Sequence, residues 1–377
     1  MVSNSRSVYE PKSVAHPGET VIEYLEFNGW SQRDLARRSG ITAKTISEIC
    51  AGKASISPTT ALAFENVLQR PAHFWLNLQR RFDEAEARKR VDSELPGWAE
   101  WAQRFPVGDM VKFNFIDRAE SAEARVAALL KFFGVSSPES WGSVWAASNV
   151  AYRQTRKFEA SAEAMSAWVR AVELAASQLR ASDFSESRLV QLIPKLRHET
   201  SQPAPRCLEA VQDLCASAGV SVVVVPELTR TRISGCARWL NEKKAVIGLT
   251  LRYRNDDQVW FTFFHELGHL LLHRKKHSFV LDNADVDFSD NVVDPEMQRV
   301  EEEANRFAAD TLIPPERLAD FIRKKQFTNE SILKFAGDLD IGPGIIVGRL
   351  QFEKLLDPHQ GNKLKRRFIG VTEGEQP

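Results

Sequence analysis

The feature that most constrains this chain is a change of hydrophobic period near SQPAP, residues 201–205. Before it, apolar residues recur at i, i+3 and i+4 in ESAEARVAALLKFFG, FEASAEAMSAWVRAVELAASQL and SESRLVQLIPKLRHE. That spacing lines one face of an α-helix. Beyond it, a helix through CLEAVQDLCASAG leads into VSVVVV at 220–225, a continuous apolar run of the kind found in buried strands. SGCARWLN and KKAVIGLTL read as two further strands, and NDDQVWFTFFHELGHLLLH as one helix. The chain is therefore expected to be mainly α, with a small sheet confined to its later part. At 377 residues it exceeds one ordinary core, so two or three domains are expected. The divisions are placed at 1–90, 91–205, 206–325 and 326–377: a helical head, a helical connector, an α+β domain, and a helical segment with a tail. Trp141, Trp145 and Trp168 are expected to anchor the helical layer.

Composition narrows the function. Lys+Arg and Asp+Glu each number 50, so no overall positive field marks nucleic-acid binding, and any such site must be local. The opening residues are polar and are not expected to act as a secretory signal. No apolar run reaches the length of a membrane span. Cys50, Cys207, Cys215 and Cys236 show no CxxC pairing and read as reduced thiols of a cytoplasmic protein.

Gly29, Gly40 and Gly52 punctuate the head, each closing a short amphipathic segment. Within WSQRDLARRSGITAKTISEICAGK (30–53), Ser31 is a good N-cap for one helix ended by Gly40. Thr42 caps a second helix, ended by Gly52. Two short helices joined by a glycine turn have helix-turn-helix geometry. Leu35, Ala36, Ile41, Ile46 and Ile49 fall on the shared core. Gln32, Arg33, Ala43, Lys44, Thr45, Ser47 and Glu48 are left pointing outward. Arg33, Arg37, Arg38, Lys44 and Lys53 outnumber Asp34 and Glu48, a local positive surplus that suits phosphates. A hairpin used only for packing or dimerisation would have the same spacing.

The text from PGETVIEYLEF through FWLNLQRRFD resembles the HigA-type antitoxins, which are Cro/repressor-like (XRE) helix-turn-helix proteins. The matching pieces are the PGE start, SQRDLARRSGI, KTISEI, GKASISPTTAL and FWLNLQ. The resemblance implies a five-helix, lambda-repressor-like domain that binds a palindromic double-stranded DNA operator as a homodimer. It implies that Thr42, Ala43, Lys44, Thr45 and Ser47 face bases, with Gln32 and Lys53 near phosphates.

FTFFHELGHLLLH (261–273) carries the second motif. Residues four apart share one helix face, so His265 and His269 can present ring nitrogens to one ion. Glu266 projects beside them, placed to polarise a water at that ion. The apolar neighbours fit a buried zinc helix, and they fit an ordinary buried helix equally. A third protein ligand is needed, and RVEEEANRFAADTLIPP offers Glu301, with Glu303 as the alternative. Glu302 reads as solvated. Asn305 shares a face with Glu301 and is placed to hydrogen-bond a ligating histidine, while Ala304 is small enough to let that face approach. His273 continues the histidine face by another turn, within reach of the site, but a surface or capping role is the preferred reading; His277 lies close to it in sequence. FVLDNADVDFSDN, with Asp282, Asp285, Asp287 and Asp290, reads as a solvated loop without EF-hand character. KLKRRF near the end reads as a solvated tail.

The pairing of FTFFHELGHLLLH with ExxANRFAADTLIPP resembles the ImmA/IrrE family of zinc-dependent metallopeptidases, over roughly residues 206–320. It implies a zincin-like domain in which His265, His269 and Glu301 hold zinc, or manganese in its place, and Glu266 is the general base of a gluzincin-like hydrolase. The segment ILKFAGDLDIGPGIIVGRLQFEKLLD is similar to the end of family members, where a helix pair packs on the peptidase domain. Together the two resemblances imply a DNA-binding transcription regulator that cleaves a repressor or antitoxin and controls its own or a neighbouring operon, in a toxin–antitoxin or stress-response setting. The alternative is a non-proteolytic, HigA-like antitoxin or repressor, partnered by a cognate toxin, whose metal domain is structural or senses a ligand.

Overall fold

The computed structural model describes residues 14–146, 161–252, 254–273, 280–282 and 295–368. The chain divides into two compact units, Met1–Trp98 and Ala99–Pro377.

The first unit contains α1 (Pro17–Asn28), α2 (Gln32–Ser39), α3 (Ala43–Cys50), α4 (Pro58–Leu68) and α5 (Ala72–Glu94). Local chemistry sets their ends. Ser31 and Asp34 form a reciprocal capping box on α2, Thr42 caps α3 and Ser57 caps α4. Gly29 and Gly40 take left-handed conformations at the ends of α1 and α2, which only glycine adopts without strain. The end of α3 differs slightly from expectation: Ala51 is the cap, and Gly52 follows it at φ 71°. Val21, Leu25, Leu35, Ile46, Ile49, Phe64 and Trp75 form the core. The Gln79 side chain accepts from the buried Ile56 N–H at 2.9 Å, tying the turn before α4 to α5.

The glycine of the PGE start has a packing reason. A Cβ on Gly18 would lie 1.9 Å from the Ile49 carbonyl oxygen, so α1 touches the end of α3 through bare backbone. Because that neighbour is backbone, Gly18→Ala is expected to destabilise the first unit by about 1–3 kcal/mol. Urea unfolding of the full-length protein would read the loss, and an unchanged first transition would refute it.

The second unit is also mainly helical: α6 (Ala99–Gln103), α7 (Val107–Lys112), α8 (Ala122–Phe133), α9 (Pro138–Trp141), α10 (Ala162–Ser177), α11 (Glu186–Glu199) and α12 (Arg206–Ser217). These are followed by α13 (Asp256–Leu272), α14 (Pro295–Leu312), α15 (Pro315–Arg323), α16 (Asn329–Leu339) and α17 (Pro343–Phe352). Trp141 and Trp145 are buried and meet Phe133 edge-on. Trp168 is fully buried in α10, and its indole N–H donates to the Val225 carbonyl. α10 packs on the sheet, while α11 supplies Leu189 and Leu196 to the same core as α13.

The sheet has four strands, β1 (Val220–Val224), β2 (Gly235–Asn241), β3 (Lys244–Leu249) and β4 (Val280–Asp282), in the order β1-β3-β2-β4. β1 runs parallel to β3, and β2 is antiparallel to both β3 and β4. β4 corrects one expectation. The start of FVLDNADVDFSDN is an edge strand, in register Gly235↔Asp282 and Cys236↔Leu281. Its main chain fills the open hydrogen-bonding edge of β2, a demand that polar side chains do not reveal. Asp285, Asp287 and Asp290 lie outside the described residues, as does His277.

The tail corrects a second expectation. Lys365 and Arg366 of KLKRRF reach the first turn of α13, where Lys365 pairs with Asp257 at 2.6 Å and Arg366 with Asp256 at 3.2 Å. Arg366 also donates to the carbonyls of Thr200, Ser201 and Gln202. The buried Phe368 ring meets Trp260. Asp256 and Asp257 are themselves buried, so the cations belong inside rather than in solvent. α17 lies against the same acids because it is glycine there. A Cβ on Gly344 would come within 2.0 Å of Asp256 Oδ1, and one on Gly348 within 2.6 Å of Asp257 Oδ2.

Candidate metal centre and nucleic-acid interface

α13 is apolar on nearly every side, which a helix tolerates only when enclosed. It lies against β2, with α14 and α17 along its flanks. The contact with α14 is close because Gly268 meets Ala304: a Cβ on Gly268 would sit 3.4 Å from the Ala304 Cα and 3.0 Å from the Phe307 ring. This glycine, inside HELGH, is a packing residue that the sequence reading did not single out.

The approach brings His265, His269 and Glu301 together. His265 Nε2 and His269 Nε2 are 2.9 Å apart, and Glu301 reaches them at 3.3 Å and 3.6 Å. One donor atom from each residue lies within 4.8 Å of the others. His265 is 0%, His269 5% and Glu301 8% exposed. Burial acts to raise the Glu301 carboxyl, but hydrogen bonds and charge from both histidines outweigh it and hold it at about 2. Burial also pushes the His269 ring below its usual value, against the pull of Glu301. An ionised carboxylate beside an imidazole that burial disposes to the neutral form, with a second imidazole alongside, is the donor set a divalent cation of borderline softness takes. The residues present therefore fit a zinc-type ion.

Around these three, the Asn305 carbonyl oxygen lies 2.9 Å from His265 Nδ1. Glu266 is fully buried one residue beyond His265 and packs beside Gly235 at the start of β2; a Cβ there would be 3.2 Å from Glu266 Oε1. Glu302 is exposed and bonded by Gln298. Glu303 does not join the histidine pair, but meets His273 Nε2 at 3.0 Å. His273 caps α13 as expected, its N–H donating to the His269 carbonyl, but its side chain turns inward rather than to the surface. Its side chain is 9% exposed and its Nδ1 lies 3.2 Å from His269 Nδ1. The signal was present as a third histidine at the same spacing of four; which helix it would face was not.

In the first unit, Gln32, Thr42, Ala43, Lys44, Ser47 and Lys53 are exposed, and Thr45 is half-buried. Ile46 and Ile49, both fully buried, fix the rotation of α3 that leaves these residues outward. The Thr42 hydroxyl accepts from the Thr45 N–H at 3.1 Å and lies 2.9 Å from the Thr45 hydroxyl, which stiffens the first turn. Lys44 is 84% exposed and only loosely paired with Glu48, at 3.9 Å. Arg37 pairs with Asp34, and Arg38 lies over the Trp30 ring.

Comparison with known proteins agrees with this division. Residues 22–75 match the helix-turn-helix family HTH_3, and residues 238–349 match the IrrE N-terminal-like domain, peptidase family M78. The chain is 37% identical over 76 residues to the uncharacterized HTH-type transcriptional regulator YddM of Escherichia coli (strain K12), spanning 20% of this chain and 81% of that protein. Similar solved structures include an addiction module antidote protein of the HigA family from Coxiella burnetii, at 32% identity, covering 22% of this chain and 92% of that one, with a TM-score of 0.21. Another is the Pseudomonas aeruginosa antitoxin HigA with the higBA promoter, at 29% identity, covering 22% and 90%, also with a TM-score of 0.21. The chain belongs to the helix-turn-helix transcriptional regulators, and its second unit carries an IrrE/ImmA-like M78 peptidase domain. It is a DNA-binding regulator fused to a peptidase-like domain. Among the described residues, no helix is long and apolar enough to cross a membrane.

Proposed function

We propose that the chain is a cytoplasmic, operator-binding transcription regulator whose second unit is a zinc-dependent endopeptidase, cleaving a repressor or antitoxin protein and so relieving repression of its own or a neighbouring operon. The observation that carries this reading is the convergence of His265 and His269 of α13 with Glu301 of α14, with the buried Glu266 next to His265 in the chain. His265, His269 and Glu301 would hold the ion. When bound, zinc supplies Lewis acidity that brings the pKa of water towards neutrality and polarises a peptide carbonyl. The Glu266 carboxylate takes the proton of the attacking water and returns it to the leaving amine. Asn305 fixes the His265 ring by accepting from Nδ1, which keeps Nε2 towards the ion.

Mapping new protein N-termini in host cells expressing the wild type or Glu266→Gln, in ordinary growth and under DNA damage, tests this directly. A terminus present only with the wild type establishes cleavage and identifies the substrate. Identical maps in both conditions count against it.

A second reading is supported by the burial of every site residue: the metal would then hold the domain together or report a ligand, and the protein would act as a non-proteolytic repressor or antitoxin. Under that reading His265→Ala changes melting temperature or operator affinity while the wild type cleaves nothing.

The DNA-binding role is carried by the outward face of α3. Thr42, Ala43, Lys44, Thr45 and Ser47 would face base edges of a palindromic operator, with Gln32 and Lys53 on phosphates and two copies of the chain on the two half-sites. Lys44→Ala and Thr45→Ala are each expected to weaken or relax operator recognition by about 1–3 kcal/mol. Lys53→Ala should weaken all sequences alike and reduce the salt slope by about one. Footprints unchanged in both α3 variants would remove that helix from the interface.

A further inference from the structure

We propose that His273 and Glu303 form a positioning pair that orients His269 for metal binding, so that the site is built from two histidines each held by a dedicated partner. The inference rests on the reading of His265, His269 and Glu301 as ligands.

The two ligand candidates have the same problem. Each shows Nε2 to the shared point, and each must place the proton of its ring on Nδ1 to keep the Nε2 lone pair available. That proton needs an acceptor. For His265 it is the Asn305 carbonyl oxygen at 2.9 Å. For His269 the atom at hand is His273 Nδ1 at 3.2 Å, and His273 Nε2 lies 3.0 Å from Glu303 Oε2. One assignment of protons satisfies the whole chain. His269 Nδ1–H donates to His273 Nδ1, and His273 Nε2–H donates to the Glu303 carboxylate. Glu303 thereby selects the tautomer of His273 that can accept, and His273 selects the tautomer of His269 that can bind a cation. Arg299, 3.7 Å from the other Glu303 oxygen, holds the far end of the line.

The arrangement joins the two helices at one level. His273 caps α13 one turn beyond His269, their ring centroids 5.3 Å apart and the planes tilted by 49°, and Glu303 lies two residues beyond Glu301 on α14. It also explains why Glu303 is not a ligand: its carboxylate is engaged on the Nδ1 side of His269, away from the Nε2 side where Glu301 sits. His273 acts through the His269 ring and is a positioning residue.

Zinc(II) affinity of the full-length protein, measured by competition with a chromophoric chelator, tests the pair without requiring any activity. His273→Leu keeps bulk and removes the acceptor; His273→Asn keeps an acceptor oxygen near the Nδ1 position and loses bulk. The expected result is a 10–100-fold weaker zinc affinity for His273→Leu. His273→Asn should recover most of it, and Glu303→Ala, at a half-exposed side chain, should show a smaller loss with an unchanged apo melting temperature. If His273 only fills space, the order reverses, and His273→Leu binds better than His273→Asn; that order overturns the proposal. His265→Ala separates the two levels of inference. If it abolishes zinc binding while His273→Leu binds as tightly as the wild type, the positioning pair fails and the metal site stands. If His265→Ala leaves zinc affinity unchanged, the metal site fails and the pair falls with it.

Discussion

Arg366→Ala is expected to destabilise the second unit by roughly 3 kcal/mol, the lower end of the range for breaking a buried ion pair, since Arg366 is about one-third exposed. The loss is large because of what remains. Asp256 is 1% exposed, and α17 presses Gly344 against it, so no water shell can replace the guanidinium. Three carbonyls, those of Thr200, Ser201 and Gln202, also lose their donor. Burial pushes the Asp256 carboxyl up to about 6 from 3.8, with the neighbouring charge of Arg366 restraining the rise. The sign follows from that direction. Between the unfolded value and about 6, the folded chain holds a proton that the unfolded chain has released, so stability from this group is present at low pH and declines as pH rises through about 6. Without Arg366 the folded-state value should rise further, so the decline should extend to higher pH and be larger in total. Urea unfolding of both proteins at about pH 5 and about pH 7.5 reads this, with the larger difference expected at the higher value. Asp256→Asn in the Arg366→Ala background should restore part of the loss by removing the unpaired charge. Equal differences at both pH values would show that the arginine acts through packing alone.

What could be read from the sequence divides by the distance over which each feature is decided. The helix-turn-helix was legible because Ser31, Thr42, Gly29 and Gly40 act within one turn of themselves, and the apolar spacing of Leu35, Ile46 and Ile49 follows from helix geometry. The proximity of His265 and His269 is legible for the same reason. Glu301 lies beyond the local range. Its only sequence trace is that it shares a face of the next amphipathic helix with the small Ala304, which meets Gly268 closely enough to bring the two helices together. Long-range pairings left no such trace. Asp256 and Asp257 look like ordinary acids at a helix start, where solvent usually satisfies them. Only the fold shows that residues 365–368 arrive there and that α17 is glycine opposite them. The His273–Glu303 contact depends on the register of α13 against α14, which spacing along one helix cannot supply. β4 depends on which strand edge is left open.

Glu266→Gln is expected to retain zinc and lose peptide hydrolysis by a factor of about 10²–10⁴, the usual contribution of a general base. The substitution keeps the shape of a side chain that is 0% exposed and packed beside Gly235, so it changes charge and little else. Glu266 is outside the His265, His269 and Glu301 donor group, hence zinc content should match the wild type. Because the side chain keeps its shape, the melting temperature should change little. His265→Ala provides the contrast, since it should lose zinc and hydrolysis together. Zinc content and cleavage of the substrate found by terminus mapping therefore distinguish three cases. Zinc retained with cleavage lost assigns the base to Glu266. Zinc retained with cleavage intact moves the base to another group. Zinc bound by the wild type with no cleavage of any protein, and with a lower melting temperature after chelation, makes the centre structural. The regulator would then act through α3 on DNA, and the enclosed geometry around His265 would be explained by stability rather than turnover.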